Sequence, residues 1–252
     1  MGQIEPKYRK QLNADQLHIL YLLYKFRHGS NSLFVDSNTK KISRQYMNTR
    51  LSILCAQNYI GRTFDSSYRL NHQPASYHLL KDGIQVLKQR EADFNPNMLR
   101  NIGKDKNAKP RTIAHNIGVF NIYNQCVRLH GDDLQFFTKS YLYGRSAFPQ
   151  PLPDAYITLK HDKTKQILLE SIEETTQLPV IRYRIRELVE FFEDDKWPRA
   201  RPIPVILFVC DTDRLKQKIE PYAIRHFGRS FITLTYSVLT QTELAGKVTL
   251  FP

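Results

Sequence analysis

The sequence predicts an α+β protein of two domains: a small basic domain of helices and a strand pair, then an α/β domain on a mixed sheet. Three observations carry this. The 252 residues are enough for two ordinary domains. The net charge of +13 is lopsided: residues 1–111 carry 19 Lys and Arg against 8 Asp and Glu, whereas residues 112–252 carry 18 against 16. The apolar pattern also changes, from helical stripes around one strand pair to strands alternating with helices. The expected boundaries are a first domain over 1–94, a basic linker over 95–111 and a second domain over 112–252.

In the first domain, Asn13 or Asp15 is placed to cap a helix whose apolar face is Leu17, Leu20, Tyr21 and Tyr24. Gly29-Ser-Asn31 ends it. Leu33, Phe34 and Val35 then sit in a short helix or a turn. Ser43 caps a further helix to about Asn58, with Met47, Leu51, Leu54 and Cys55 as its buried stripe. Residues 59–64 read as a strand, 65–74 as a polar turn and 76–80 as a returning strand. Asp82-Gly83 marks a break, and Ile84 and Leu87 begin another helix. Residues 95–111 are polar and basic with two prolines, which is the composition of a linker.

The second domain opens on a long helix through Ile113, Ile117 and Phe120 that ends near His130-Gly131. Strands follow at 136–141, 155–159 and 166–170. A helix over 181–192, a buried strand over 204–209, a helix over 214–227 and a strand over 231–236 complete a mixed sheet.

The charge points to an anionic partner, and its concentration in the first 111 residues points to nucleic acid bound by that half. The alternative for such an excess is a surface that serves solubility alone. The N-terminal residues lack the basic and apolar regions of a signal peptide, and no early run is long and apolar enough to span a bilayer. Cys55, Cys126 and Cys210 each lie in apolar segments, so small buried hydrophobes are expected rather than disulfides or metal ligands. The expected compartment is a reducing cytoplasm, with no membrane partner.

The order helix, short element, helix, strand, turn, strand is that of a winged helix-turn-helix. The stretch from Ser43 to Ile60 resembles the recognition helix and first wing strand of that family. Tyr77-His-Leu-Leu-Lys-Asp-Gly83 resembles its common ending, with Leu80 where Thr is usual. With the Met47–Cys55 stripe buried, Arg44, Gln45, Asn48 and Ser52 fall on the opposite face. Arg, Gln and Asn carry the forked donors and acceptors that suit base edges in the major groove. Thr49 and Arg50 flank that face within reach of phosphates, and Arg62, Arg69 and His72 lie on or beside the wing.

In the second domain, Pro153-Asp154 heads one strand and Glu170 ends the next. This resembles the restriction-endonuclease-like core, whose motif is Pro-Asp, a strand, then Glu-x-Lys. In that fold the two carboxylates hold a divalent metal and the Lys positions the attacking water. The resemblance implies Asp154 and Glu170 as candidate catalytic and metal residues, with Mg or Mn as cofactor only if the site is active. Position 172 is Ile172, where the motif has Lys. Glu173 or Glu174 is then the candidate replacement carboxylate, and Arg182 or Arg184 the candidate cation. The alternative reading of Asp154 and Glu170 is of ordinary strand-end residues. His115 reads as a hydrogen-bonded structural residue, and Trp197 as a packing anchor.

Taken together, the basic reading helix, the helix around His115, Leu152-Pro-Asp-Ala-Tyr156, Leu168-Leu-Glu170 and Thr175 resemble the replication-relaxation family of plasmids and integrated mobile elements. There the Glu segment usually reads Glu-x-Asp-x-x-Thr, against Glu170-Ser-Ile-Glu-Glu-Thr175 here. The resemblance implies a sequence-specific double-stranded-DNA-binding protein acting in replication, relaxation, transfer or control of such an element. Its partners would be DNA and replication or transfer proteins of the same element, with a homodimer on paired half-sites. The rivals are a metal-dependent nicking nuclease and a transcriptional regulator whose second domain senses or dimerises.

Overall fold

The structure, a computed structural model, describes residues 11–38, 40–64, 74–90, 94–227 and 231–235. The chain is mixed α/β and divides into two compact units, Met1–Phe120 and Asn121–Pro252.

In the first unit, α1 (Ala14–Phe26) begins at Asn13, whose side chain accepts from Gln16 N while Gln16 Oε1 accepts from Asn13 N. This reciprocal cap satisfies two donors that a helix start would otherwise leave bare. The buried side of α1 is wider than the expected stripe: Ile19, Leu22, Leu23 and Phe26 join Leu20 and Tyr24 in the core. Then come β1 (Gly29–Ser30), α2 (Asn31–Asp36) and α3 (Arg44–Ala56). Ser43 caps α3 by accepting from Tyr46 N, and Met47, Leu51 and Leu54 are buried beneath it.

β2 (Ile60–Thr63) and β3 (Ser76–Leu79) are antiparallel in the register Ile60↔Leu79 to Thr63↔Ser76. β1 joins the other edge of β3, giving a three-stranded sheet ordered β1-β3-β2. Gly83 is not a break: it lies inside α4 (Lys81–Arg90), and a Cβ there would stand 2.3 Å from the Tyr59 carbonyl oxygen. Only glycine allows that approach.

The expected linker over 95–111 is corrected. Asn95 caps α5 (Pro96–Ile102), which buries Met98, Leu99 and Ile102. A 3₁₀ turn at Asp105–Asn107 follows, where Asp105, 2% exposed, takes an ion pair from Arg27. Burial raises the Asp105 carboxyl despite that guanidinium. The segment is therefore packed structure, because its three apolar residues and one charged anchor face the core. α6 (Pro110–His130) continues the chain, and the unit boundary falls within it between Phe120 and Asn121 rather than at 111/112. Residues 112–120 contain no Lys, Arg, Asp or Glu, so the charge split is the same at either boundary.

In the second unit β4 (Leu134–Thr138) leads into the short α7 (Lys139–Leu142), β5 (Ala155–Leu159) and β6 (Gln166–Ile172). Then come α8 (Leu178–Glu193), β7 (Val205–Cys210), α9 (Asp213–Phe227) and β8 (Phe231–Thr235). The sheet runs β4-β5-β6-β7-β8; the first two pairings are antiparallel and the last two parallel. Each parallel pairing is bridged by a helix, as parallel strands require. One sheet face, through Tyr156, Leu168, Ile206 and Phe208, packs on Ile181, Ile185 and Leu188 of α8 and Ile219 of α9. Trp197 is a packing anchor: it lies in this core and donates to the Pro202 carbonyl. All three cysteines are free thiols, Cys126 and Cys210 buried and Cys55 half-buried. Among the described residues no helix is long and apolar enough to cross a membrane.

Candidate functional site

The cap at Ser43 sets the phase of α3, which leaves Arg44, Gln45, Asn48, Thr49 and Ser52 exposed. A cavity of about 450 Å³ opens where this helix meets the sheet, lined by Asn31, Arg44, Asn48, Arg62, Phe64 and Tyr77 among others. It gathers the donors of α3 with those of the strand pair, and among the described residues no carboxylate lines it. Arg62 stacks over the Phe64 ring, which itself is half exposed. Gln45, Thr49 and Ser52 lie outside this cavity, and Thr49 Oγ1 donates back to the Gln45 carbonyl.

Arg50, on the flank of that face, is half-buried. Its Nη2 donates to the Tyr46 hydroxyl at 2.8 Å, and that hydroxyl donates to Asp15 Oδ2 at 2.6 Å. The guanidinium also lies over the Tyr46 ring. Arg50 thus ties α3 to the start of α1. Arg69 and His72 lie outside the described residues. A residue the sequence did not single out, Asn31, donates from Nδ2 both to the Arg44 carbonyl and to Asn48 Oδ1.

The second candidate site is in the other unit. Asp154 immediately precedes β5 and Glu170 lies on the adjacent β6, where Ala155 faces Leu169. The two carboxylates are 4% and 9% exposed. Asp154 Oδ1 accepts from Lys139 Nζ at 2.5 Å, and Oδ2 accepts from the Ser171 backbone N at 2.7 Å. Glu170 Oε1 accepts from both Nε and Nη2 of Arg184. Burial pushes the Glu170 carboxyl above its ordinary range; Arg184 opposes the shift and the Asp154 charge adds to it. Burial works against the Lys139 ammonium, yet Asp154 and Glu170 hold its pKa above the usual lysine value.

The chain matches no protein-family model, no curated protein and no solved structure. The chemistry of the site therefore rests on its own residues. Each carboxylate is paired with a cation, Asp154 with Lys139 and Glu170 with Arg184. A divalent metal favours carboxylate oxygens free to ligate it; here Asp154 serves Lys139 and Ser171, and Glu170 serves Arg184. Ile172 is buried in the apolar core against α8 and offers no ligand. Glu173 lies by the Thr175 hydroxyl, and the Glu174 backbone N donates to Asp211. Among the described residues no three His, Cys, Asp or Glu side chains gather as metal ligands. As placed, the two carboxylates are held by Lys139, Ser171 and Arg184 rather than gathered about a metal position.

Of the two candidate cations, Arg184 reaches Glu170, whereas Arg182 lies over the Tyr222 ring. Lys139 escapes the sequence motif because it comes from the start of α7, fifteen residues before Asp154. His115 is half-buried in the first unit.

Proposed function

We propose that this chain is a sequence-specific double-stranded-DNA-binding protein that reads the major groove with α3. The observation that carries the reading is the α3 face, where Arg44, Asn48 and Arg62 meet in one concavity on the basic unit, with no carboxylate lining it among the described residues. Forked donors at i and i+4 on one helix are spaced to contact neighbouring base pairs, and Arg62 on the adjoining strand is placed for the backbone.

The element order of the first unit supports a winged helix: α1, α2 and α3 precede the antiparallel pair β2 and β3, and β3 also pairs with β1. For the second unit, the mixed sheet with Asp154 just before β5 and Glu170 on the adjoining β6 supports a restriction-endonuclease-like reading. The pairing of each carboxylate with a cation favours a core kept for structure or for contacts over a metal-dependent nuclease. The resemblance of the chain's motifs supports a replication-relaxation-type role, acting on the DNA of a mobile element in the cytoplasm.

Selection of duplexes from a random library by the full chain, followed by gel shift, tests the reading. Enrichment of one motif, lost in Arg44→Ala, is the expected result. Footprinting on the element's DNA then separates an origin or transfer site from a promoter.

A further inference from the structure

A second cavity, of about 640 Å³, opens in the second unit over the antiparallel part of the sheet. That volume lies within the range of small-molecule sites, roughly 300–1,000 Å³. Two cross-strand rows form its floor. Gln135, Thr158 and Gln166 face one another across β4, β5 and β6, and Phe137 faces Tyr156 in the next row. Tyr141 and Phe148 are further aromatic walls, and Phe148 meets Tyr156 edge-on at 5.3 Å.

The floor holds two buried polar atoms that no described residue satisfies. Thr158 and Gln166 are each 6% exposed, and among the described residues Thr158 Oγ1 and Gln166 Oε1 have no hydrogen-bond partner. Gln166 Nε2 donates to the Lys163 carbonyl, which fixes the amide and leaves Oε1 as an acceptor. A buried polar atom without a partner costs free energy until something supplies one. Thr158 and Gln166 are register partners, so an acceptor and a hydroxyl stand side by side. Such a pair matches the edge of a planar heterocycle carrying N–H beside a carbonyl or amino group.

The rim is cationic. Arg145, Lys163 and Arg201 are exposed around the mouth. His161 is paired with Asp133, and Asp162, the rim carboxylate, accepts from Thr164 within its own turn. Aromatic walls, a polar floor and a basic rim specify a flat base joined to an anion.

We propose that this cavity binds a nucleotide, with the base among Phe137, Tyr141 and Tyr156, its polar edge on Thr158 and Gln166, and its phosphate on Arg145, Lys163 and Arg201. Base stacking on aromatic rings beside a basic groove is how single strands are held, and a free mononucleotide offers the same groups. The proposal uses residues of the second unit alone and does not rest on the reading of α3.

Trp197, the chain's only tryptophan, lies 5.6 Å from the Phe148 ring and 6.2 Å from the Tyr156 ring, so its emission reports on this cavity. The full chain is titrated with dAMP, dTMP, a four-residue oligothymidylate, deoxyribose 5-phosphate and inorganic phosphate. Saturable change with a mononucleotide or the oligonucleotide is expected, with at least about tenfold weaker response to the base-free probes, the scale of one lost stacking contact. Oligothymidylate binding about tenfold tighter than dTMP assigns a single strand; equal binding assigns a free nucleotide. Arg201→Gln, at an exposed position that leaves the fold intact, weakens binding about tenfold, as loss of a charge-assisted contact does. Thr158→Val alters the order of preference among bases. No saturable change, an equal response to inorganic phosphate, or unaltered binding in Arg201→Gln overturns the proposal.

Discussion

Asn31 Nδ2 donates to Asn48 Oδ1 at 2.6 Å, and its second contact, to the Arg44 carbonyl at 3.1 Å, fixes which way the pair points. A backbone carbonyl only accepts, so Asn31 presents its amino group on that side and Asn48 answers with its oxygen. The carboxamide of Asn48 is thereby left with its N–H₂ end for an outside acceptor. Arg44 beside it is also donor-only. Two donors in a row favour guanine, which shows the N7 and O6 acceptors in the major groove. In selected duplexes Asn48→Ala should lose discrimination at one base pair, by about 1–3 kcal/mol. Asn31→Ala should keep binding but let adenine compete there, because the Asn48 amide is free to turn. Base preference is read by competition gel shift.

Tyr46 is the hinge of a different relationship. Its hydroxyl links Arg50 to Asp15, so Tyr46→Phe removes two hydrogen bonds at once. The expected loss is about 1–2 kcal/mol of first-unit stability in urea unfolding, with base preference unchanged. A change of preference without loss of stability would return Arg50 to the DNA face.

Arg184 neutralises a carboxylate that burial already disfavours. Arg184→Met leaves Glu170 buried and alone, and should cost about 3–5 kcal/mol. Adding Glu170→Gln should recover much of it. A carboxyl whose folded pKa is raised binds protons more readily folded than unfolded, so the Arg184→Met loss should shrink as pH falls toward the ordinary glutamate range. Urea unfolding at two pH values checks both statements. The same pairing of carboxylates with cations predicts that supercoiled plasmid stays supercoiled with Mg²⁺ or Mn²⁺; relaxation abolished by Asp154→Ala would restore the nuclease reading.

The first unit should be sensitive to acid. His28 is fully buried; burial first, and then the His78 charge, lowers its pKa to about 4. Arg27 adds to the fall, while a backbone contact at Asp105 opposes it. Asn116 Nδ2 lies 2.9 Å from His28 Nδ1, the contact of an amide donor with a neutral ring. The unfolded chain takes up a proton near pH 6.5 that the folded chain refuses, so stability falls between about pH 6.5 and pH 4, by up to about 3 kcal/mol. His28→Leu should flatten that slope in thermal melts at pH 7 and pH 5.

Periodicity and capping made most elements legible. The Ser43 cap and the Met47–Leu54 stripe located α3, and strand alternation located β5 to within its bounds. What stayed hidden depends on distant partners. β1 is two residues long and exists only because β3, over forty residues on, pairs with it. Residues 95–111 read as a linker because their helices are short and their charged surface outweighs Met98, Leu99 and Ile102 in composition. Asn31 and Lys139 carry no local signal, since each acts through a residue that folding brings to it.

The most direct test is fluorescence anisotropy of the selected duplex against a scrambled one, across a salt series, with wild type and Arg44→Ala. Major-groove reading by α3 predicts that wild type prefers the selected duplex and weakens steeply with salt, as phosphate contacts require. Arg44→Ala should bind both duplexes alike. Equal wild-type affinity for the two duplexes, or no binding at low salt, would contradict it.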